Sequence, residues 1–197
     1  DDILIRDIAV RHALRDVVSL RQLTGFLITN IGNPVSANKL AGMFGIKSPD
    51  TILEYFSFLQ NAYLLDFVPM FSHSLKVQAR NPKKVYVMDT GLYTENSVST
   101  SNNFGRRLEN LVFLHLRRKY KHVFYYKNRG ECDFIIMEKN TVKRAVQVCF
   151  DINDENFDRE YDGLSEAMQE AGINSGIIVT LNQSDTFEKD GKIIHMI

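Results

Sequence analysis

At 197 residues the chain has room for one large or two small domains. Its 24 basic and 24 acidic residues cancel and 44% of its residues are hydrophobic, a balance that argues against wholesale nucleic-acid binding but leaves local basic patches open. No apolar run approaches the roughly 20 residues a membrane-spanning helix needs, and the opening DDILIRDI lacks a signal-peptide layout, so a cytoplasmic location without a membrane partner is expected. Cys132 and Cys149 are too few for a disulfide framework. His12, His73, His115, His122 and His195 show no metal-ligand spacing.

From Ser19 to Ile31, Leu20, Leu23, Leu27 and Ile31 recur at helical spacing, and Asn30 and Gly32 supply a stop signal. Ser36 is placed to cap a short helix burying Leu40, Met43 and Phe44, with Gly45 ending it in a left-handed turn. Ser48 followed by Pro49 starts a third helix, because proline at the first helical position gives up only an amide that would lack a helical partner anyway. Ile52, Leu53, Phe56 and Leu59 form its apolar face. Three helices with a glycine turn between the last two predict a helix-turn-helix. Tyr63 to Phe71 and Val85 to Asp89 read as strands joined by SHSLKVQARNPKK, which makes residues 1–97 a winged helix with that segment as its wing. The wing's Lys76, Arg80, Lys83 and Lys84 could grip phosphates without reading sequence. The third helix, PDTILEYFSFLQN, offers Asp50 and Glu54 but no basic residue, which suits a protein contact better than a major groove. MDTGL at Met88 to Leu92 reads as a turn after a strand.

The polar run TENSVSTSNN at Thr94 to Asn103 is the best linker, and a second domain over 98–197 follows. Phe104 to Tyr120 predicts a long helix, Val123 to Lys127 a strand, and Cys132 to Met137 with Val142 to Asp151 a hairpin. Glu155 to Gly172 predicts a helix, Gly176 to Leu181 a strand, and Lys192 to Met196 a short last strand. The expected fold class is therefore α/β, with a central mixed sheet in the second domain.

In that second domain Asp133 and Gln147 fall on neighbouring strands, and alternation places Gln147, Cys149 and Asp151 on one face. Glu109 lies on the first helix in line with Val112, Phe113 and Leu116, an unusual place for a carboxylate if that stripe is buried. The plain structural alternative has Asp133 capping or bending a strand, Glu109 facing solvent, and Gln147 and Cys149 as half-buried strand residues.

The order helix, three strands, helix, strand resembles the restriction-endonuclease-like core, and Asp133 and Gln147 occupy the places where nucleases of the PD-(D/E)XK type hold Mg²⁺. The resemblance implies Glu109, Asp133 and Gln147 as the metal and catalytic set, with the first helix contributing the glutamate. It also implies a lysine at position 149. Cys149 stands there instead, and a thiol does not replace an ammonium as a fixed charge. Lys127 and Arg129, at the end of the preceding strand, are candidates for a migrated cation.

Over its length the chain also resembles the C-terminal region of prokaryotic AAA-type ATPases that carry a C-terminal domain of unknown function. The blocks are RDI at Arg6 to Ile8, SANKL at Ser36 to Leu40, MFGIKS at Met43 to Ser48, AYLL at Ala62 to Leu65 and NPKKVYVMDTGL at Asn81 to Leu92. They continue with GRRLENLVF at Gly105 to Phe113, GECDF at Gly130 to Phe134, QVCFD at Gln147 to Asp151 and DREYDGL at Asp158 to Leu164. No GxxxxGK[ST] loop is present, so ATP would bind in an N-terminal domain outside this chain. The expectation is an effector region with a degenerate nuclease-like site, partnered by its own ATPase domain and by a protein or DNA. The alternatives are an active Mg²⁺-dependent nuclease and a winged-helix DNA-binding regulator.

Overall fold

The structure is a computed structural model that describes residues 2–14, 16–96 and 104–197. It is an α/β protein with two compact units, Asp1–Val68 with Asn81–Asn102 and Pro69–Arg80 with Asn103–Ile197.

The first unit opens with a π-type helical segment, Ile3–Val10, whose Leu4 and Ile8 are buried. Helix α1 (Val17–Thr29) begins where the Asp16 carboxylate accepts a hydrogen bond from Ser19 N–H at 3.0 Å. A two-residue strand β1 (Pro34–Val35) leads into helix α2 (Ala37–Met43), which stops at Gly45 with φ +64°. Helix α3 (Pro49–Asn61) has Pro49 in its first turn, and the Ser48 Oγ accepts from Asp50 N–H at 3.1 Å. Leu20, Leu23, Leu27, Ile52 and Leu59 are fully buried in one apolar core, and the Phe56 ring stacks on Phe67 with centroids 3.9 Å apart.

Two expected core residues lie outside it. Met43, the last residue of α2, is 60% exposed although it stands three residues beyond buried Leu40. Leu53 is 41% exposed because the buried stripe of α3 runs Ile52, Tyr55, Phe56, Leu59, and Tyr55 takes the place assigned to Leu53.

Strands β2 (Leu65–Pro69) and β3 (Lys83–Val87) complete a three-stranded sheet in the order β1-β3-β2. Strand β3 starts two residues earlier than the hydrophobic run indicates, so Lys83 and Lys84 belong to the sheet. Of the segment expected to be a wing, residues 72–80, which include helix α4 (Leu75–Arg80), belong to the second unit, and its last four residues lead into β3 of the first. In the second unit Phe71 N–H donates to the Tyr125 carbonyl at 2.6 Å, and the Phe71 ring meets Phe124 edge-on at 6.1 Å. Helix α5 (Thr90–Asn96) follows β3 directly. Asp89 Oδ1 accepts from Gly91 N–H at 2.8 Å, and a Cβ on Gly91 would crowd that carboxylate at 3.1 Å. Residues 94–96 of the expected linker are thus the end of α5, and its remainder, with the expected boundary at 97/98, lies outside the described residues.

The second unit runs α6 (Phe104–Lys119), β4 (His122–Lys127), β5 (Glu131–Glu138), β6 (Thr141–Val148), α7 (Phe157–Ala171), β7 (Ser175–Val179), β8 (Asp185–Lys189) and β9 (Lys192–Met196). Its mixed sheet has the order β4-β5-β6-β7-β9-β8, with β6, β7 and β9 parallel and the outer pairs antiparallel. Strands β5 and β6 join through Lys139 and Asn140, both at positive φ, and β8 and β9 through Asp190 and Gly191, also both positive. These are the turns whose backbone matches the strand twist. Strand β8 was not expected, although Asp190-Gly191 between TFEK and KII is a strong hairpin signal.

The two helices take opposite faces of the sheet. Tyr161, Leu164, Ala167 and Met168 of α7 share a core with Ile135, Ala145, Ile178 and Ile194. Helix α6 lies on the other side, where Phe113 stacks on Phe134 and where Val146 points. Alternation along β5 and β6 then puts Asp133 and Gln147 on the α7 face.

Candidate functional site

The site forms where two strands part. The β5–β6 ladder runs from Glu138↔Thr141 to Phe134↔Val146 and ends there, while β6 stays paired with β7 from Val146↔Ile177 to Val148↔Val179. Side chains take over the ladder at that point. Asp133 N–H donates to Gln147 Oε1 at 3.1 Å, and Val148 N–H donates to Asp133 Oδ2 at 2.9 Å. Gln147 Nε2 donates in turn to Glu160 Oε2 on α7. All three polar residues are buried, at 6 to 7% exposure. This network orients the carboxamide: turned over, its oxygen would face the Glu160 carboxylate and its nitrogen the Asp133 amide.

Helix α7 reaches Gln147 because two glycines let it sit directly on the β4–β5 turn. A Cβ on Gly163 would fall 2.2 Å from the Glu131 carbonyl oxygen, and one on Gly130 would fall 2.7 Å from Gly163 Cα. Glu166, six residues beyond Glu160 on the same helix, clamps the β4–β5 turn by accepting from Gly130 N–H at 2.6 Å and from Asn128 Nδ2 at 3.0 Å. The Gly130 amide holds the Glu166 carboxyl below the usual glutamate range.

Around this network lies a hollow of about 410 Å³, lined by Lys127, Arg129, Asp133, Gln147, Arg159 and Glu160 among others. Its cations stand on the rim. Lys127 Nζ pairs with Glu131 at 2.9 Å, and Arg159 donates through Nε at 3.1 Å and through Nη2 to Glu160 Oε1, which raises its own pKa. Arg129 is exposed. Cys149 is half-buried. Burial first, then the Glu160 charge, push its thiol pKa up, and its Sγ contacts the Asp151 carbonyl at 3.3 Å and Asn156 Nδ2 at 3.7 Å. It is therefore a neutral thiol with little nucleophilic or ligand character at neutral pH.

Mg²⁺ needs oxygen lone pairs in near-octahedral order. Here Gln147 Oε1 and Asp133 Oδ2 accept backbone amides, and Glu160 is held by Gln147 and Arg159. The donor set as arranged is a poor fit to the ion. Among the described residues no three His, Cys, Asp or Glu side chains group as a metal site.

The sequence-derived candidates are thus divided. Asp133 and Gln147 are side by side, Cys149 follows on the same strand end, and Lys127 reaches the hollow's rim. Half-buried Glu109 is on α6, the helix of the opposite face. Of the basic residues assigned to the wing, Lys76 and Arg80 are exposed on α4, Lys83 is half-buried with its pKa lowered by burial, and Lys84 is 1% exposed in β3. At 1% exposure Lys84 is not presented to a phosphate. Glu160 and Arg159 were missed. The signal was present: Glu160 shares the i, i+4, i+7, i+8 stripe of Leu164, Ala167 and Met168, the same anomaly that singled out Glu109.

A family model described as a domain of unknown function, DUF8612, matches residues 1–102. An uncharacterized protein of Methanocaldococcus jannaschii is 34% identical over 96% of this chain and 44% of its own length. An uncharacterized protein of Haemophilus influenzae is 30% identical over 77% of this chain and 39% of its own length. The chain spans less than half the length of these curated relatives. No solved structure matches it.

Proposed function

Starting from the fact that the chain belongs to the DUF8612 family, we propose that it is the C-terminal effector region of a larger AAA-type ATPase. Its first unit acts as a winged-helix docking module and its second as a nuclease-like module that binds without cutting. The observation that carries this reading is that Gln147 is engaged by the Asp133 amide and by Glu160, and the Asp133 carboxylate by the Val148 amide, with a neutral thiol at position 149. Groups that a nuclease would aim at a metal here splice two diverging strands. A missing oxyanion cation of the kind lysine supplies is typically worth roughly 2.7 to 4 kcal/mol of barrier, enough to put turnover near background. The ATPase assignment rests on the ordered sequence blocks, and the relatives' additional length leaves room for a P-loop domain.

Protein is the favoured partner class for the first unit. The outward residues of α3 include Asp50, Leu53 and Glu54, and burial removes Lys84 from the basic set, leaving little positive charge to neutralise phosphates. DNA is the second class, through Lys76 and Arg80 on α4, which belongs to the second unit.

The test is a cleavage assay of this chain and its full-length parent on duplex and single-stranded DNA with Mg²⁺ and with Mn²⁺. Background cutting is expected, with no ATP hydrolysis by this chain, and Cys149→Lys is the variant that restores the expected cation. Cutting by the wild type that Asp133→Ala abolishes would establish the active nuclease instead, with Lys127 the first candidate cation. Salt-sensitive duplex binding without cleavage would favour the DNA-binding regulator.

A further inference from the structure

Parallel strands are ordinarily covered on both faces. In the second unit β6, β7 and β9 form a parallel trio, and α7 buries one side of it through Ala145, Ile178 and Ile194. The other side is unevenly covered. Register places Val146 beside Ile177 and His195 in one row across that face, and Val148 beside Val179 in the next. Ile177 and Val179 are half-buried, while Ile193 is 44% and Ile197 59% exposed. Helix α6 walls one flank with Leu111, His115 and Lys119, which recur every four residues, and Leu111 is 53% exposed.

The hollow between helix and strands is about 430 Å³, and a second of about 410 Å³ continues from it, sharing Tyr120, Arg144 and Ile177. Together they form a trough whose floor is apolar in the first hollow, at Val146, Ile177 and Val179, and more polar in the second, where Ser175 and His195 line it. Along α6 it extends about 12 Å from Leu111 to Lys119, and it is open to solvent along its top. Small-ligand pockets enclose most of their ligand, whereas an open trough beside a helix matches the way an amphipathic helix lays its apolar face into a groove. The rim is basic. Lys119, Lys143 and Arg144 line it and enter no ion pair among the described residues, and Glu138 at the far end is its one acidic member.

We infer that this trough is a docking site for an amphipathic helical segment of a protein partner, one whose apolar stripe is flanked by Asp and Glu. The apolar side chains of such a helix meet Val146, Ile177 and Val179, and its carboxylates meet Lys119 and Arg144. Charge complementarity at the rim sets the preference for acidic flanks and speeds encounter, while the floor supplies most of the affinity. This surface is separate from Asp133, Gln147 and Glu160, which lie on the α7 face, so the inference stands apart from the nuclease-like reading.

The experiment uses the whole 197-residue chain and two fluorescent helical peptides of about 16 residues, long enough to form several turns. Both carry leucine at i, i+3, i+4 and i+7, one with glutamate flanks and the other with lysine flanks. Anisotropy titration is expected to show the glutamate peptide binding at least ~10-fold more tightly, a difference of about 1.4 kcal/mol. Lys119→Glu with Arg144→Glu should reverse the preference. Val179→Asp should weaken binding by at least ~10-fold, and Ile197→Asp, at an exposed position, repeats the test if Val179→Asp disturbs folding. Equal binding of both peptides, binding of neither, or affinity unchanged by both apolar-to-acid variants would overturn the inference. So would self-association in sedimentation that Ile197→Asp dissolves, since that would give the face to a second copy of the chain.

Discussion

Helices α6 and α7 cover opposite faces of one sheet, and each carries a glutamate in or near its apolar stripe, yet they do different work. Helix α7 sits close, on glycines, with Leu164, Ala167 and Met168 fully buried and Glu160 wired to Gln147. Helix α6 anchors through Phe113 and Leu116 but leaves Leu111 in solvent and part of the parallel trio bare. A carboxylate on an amphipathic stripe marks an exception to burial. Which polar group it meets depends on the sheet face its helix takes.

The largest difference should appear in core truncations. Leu164→Ala is expected to cost about 2 to 5 kcal/mol in denaturant unfolding, as for a fully buried leucine, and a value under 1 kcal/mol would show that α7 is loosely held. Gly163→Ala should follow at about 1 to 3 kcal/mol, because its methyl group meets the Glu131 backbone carbonyl rather than a yielding side chain. If Gly163→Ala were neutral, the close approach that delivers Glu160 to Gln147 would be wrong. Gln147→Leu keeps the size but removes the Oε1 acceptor of the Asp133 amide and the donor to Glu160 Oε2, leaving Arg159 on Glu160 Oε1. A loss of about 1 to 3 kcal/mol is expected, and Asp133 N–H should gain measurable hydrogen exchange.

On the other face, Leu111→Ala should change stability by no more than about 0.5 kcal/mol, since its side chain is already half in water. A larger loss would mean that α6 is covered as α7 is. The smallest effect concerns acid. Glu166 has its folded pKa depressed by the Gly130 amide, so its contribution is present above the unfolded glutamate pKa and lost as pH falls through the lower folded value. Comparing Glu166→Gln with wild type, the stability gap should be open at neutral pH and close in that acid window. A gap unchanged by pH would assign the clamp to packing alone.

Local chemistry wrote much of this protein into its sequence. Ser48-Pro49 and Gly45 mark helix ends by rules that act within four residues, and the alternation of β5 and β6 is enough to put Asp133 and Gln147 on one face. Asp190-Gly191 carried the missed hairpin just as locally. Tertiary structure decided what no window of sequence contains. It drew Lys84 into the middle of a sheet, passed residues 69–80 to the second unit, and placed α6 and α7 on opposite faces. The same buried stripe can carry Glu109 or Glu160 toward a polar partner. Only the packing direction of each helix, set by where glycines permit close approach and where large side chains need cover, determined that Glu160 meets Gln147.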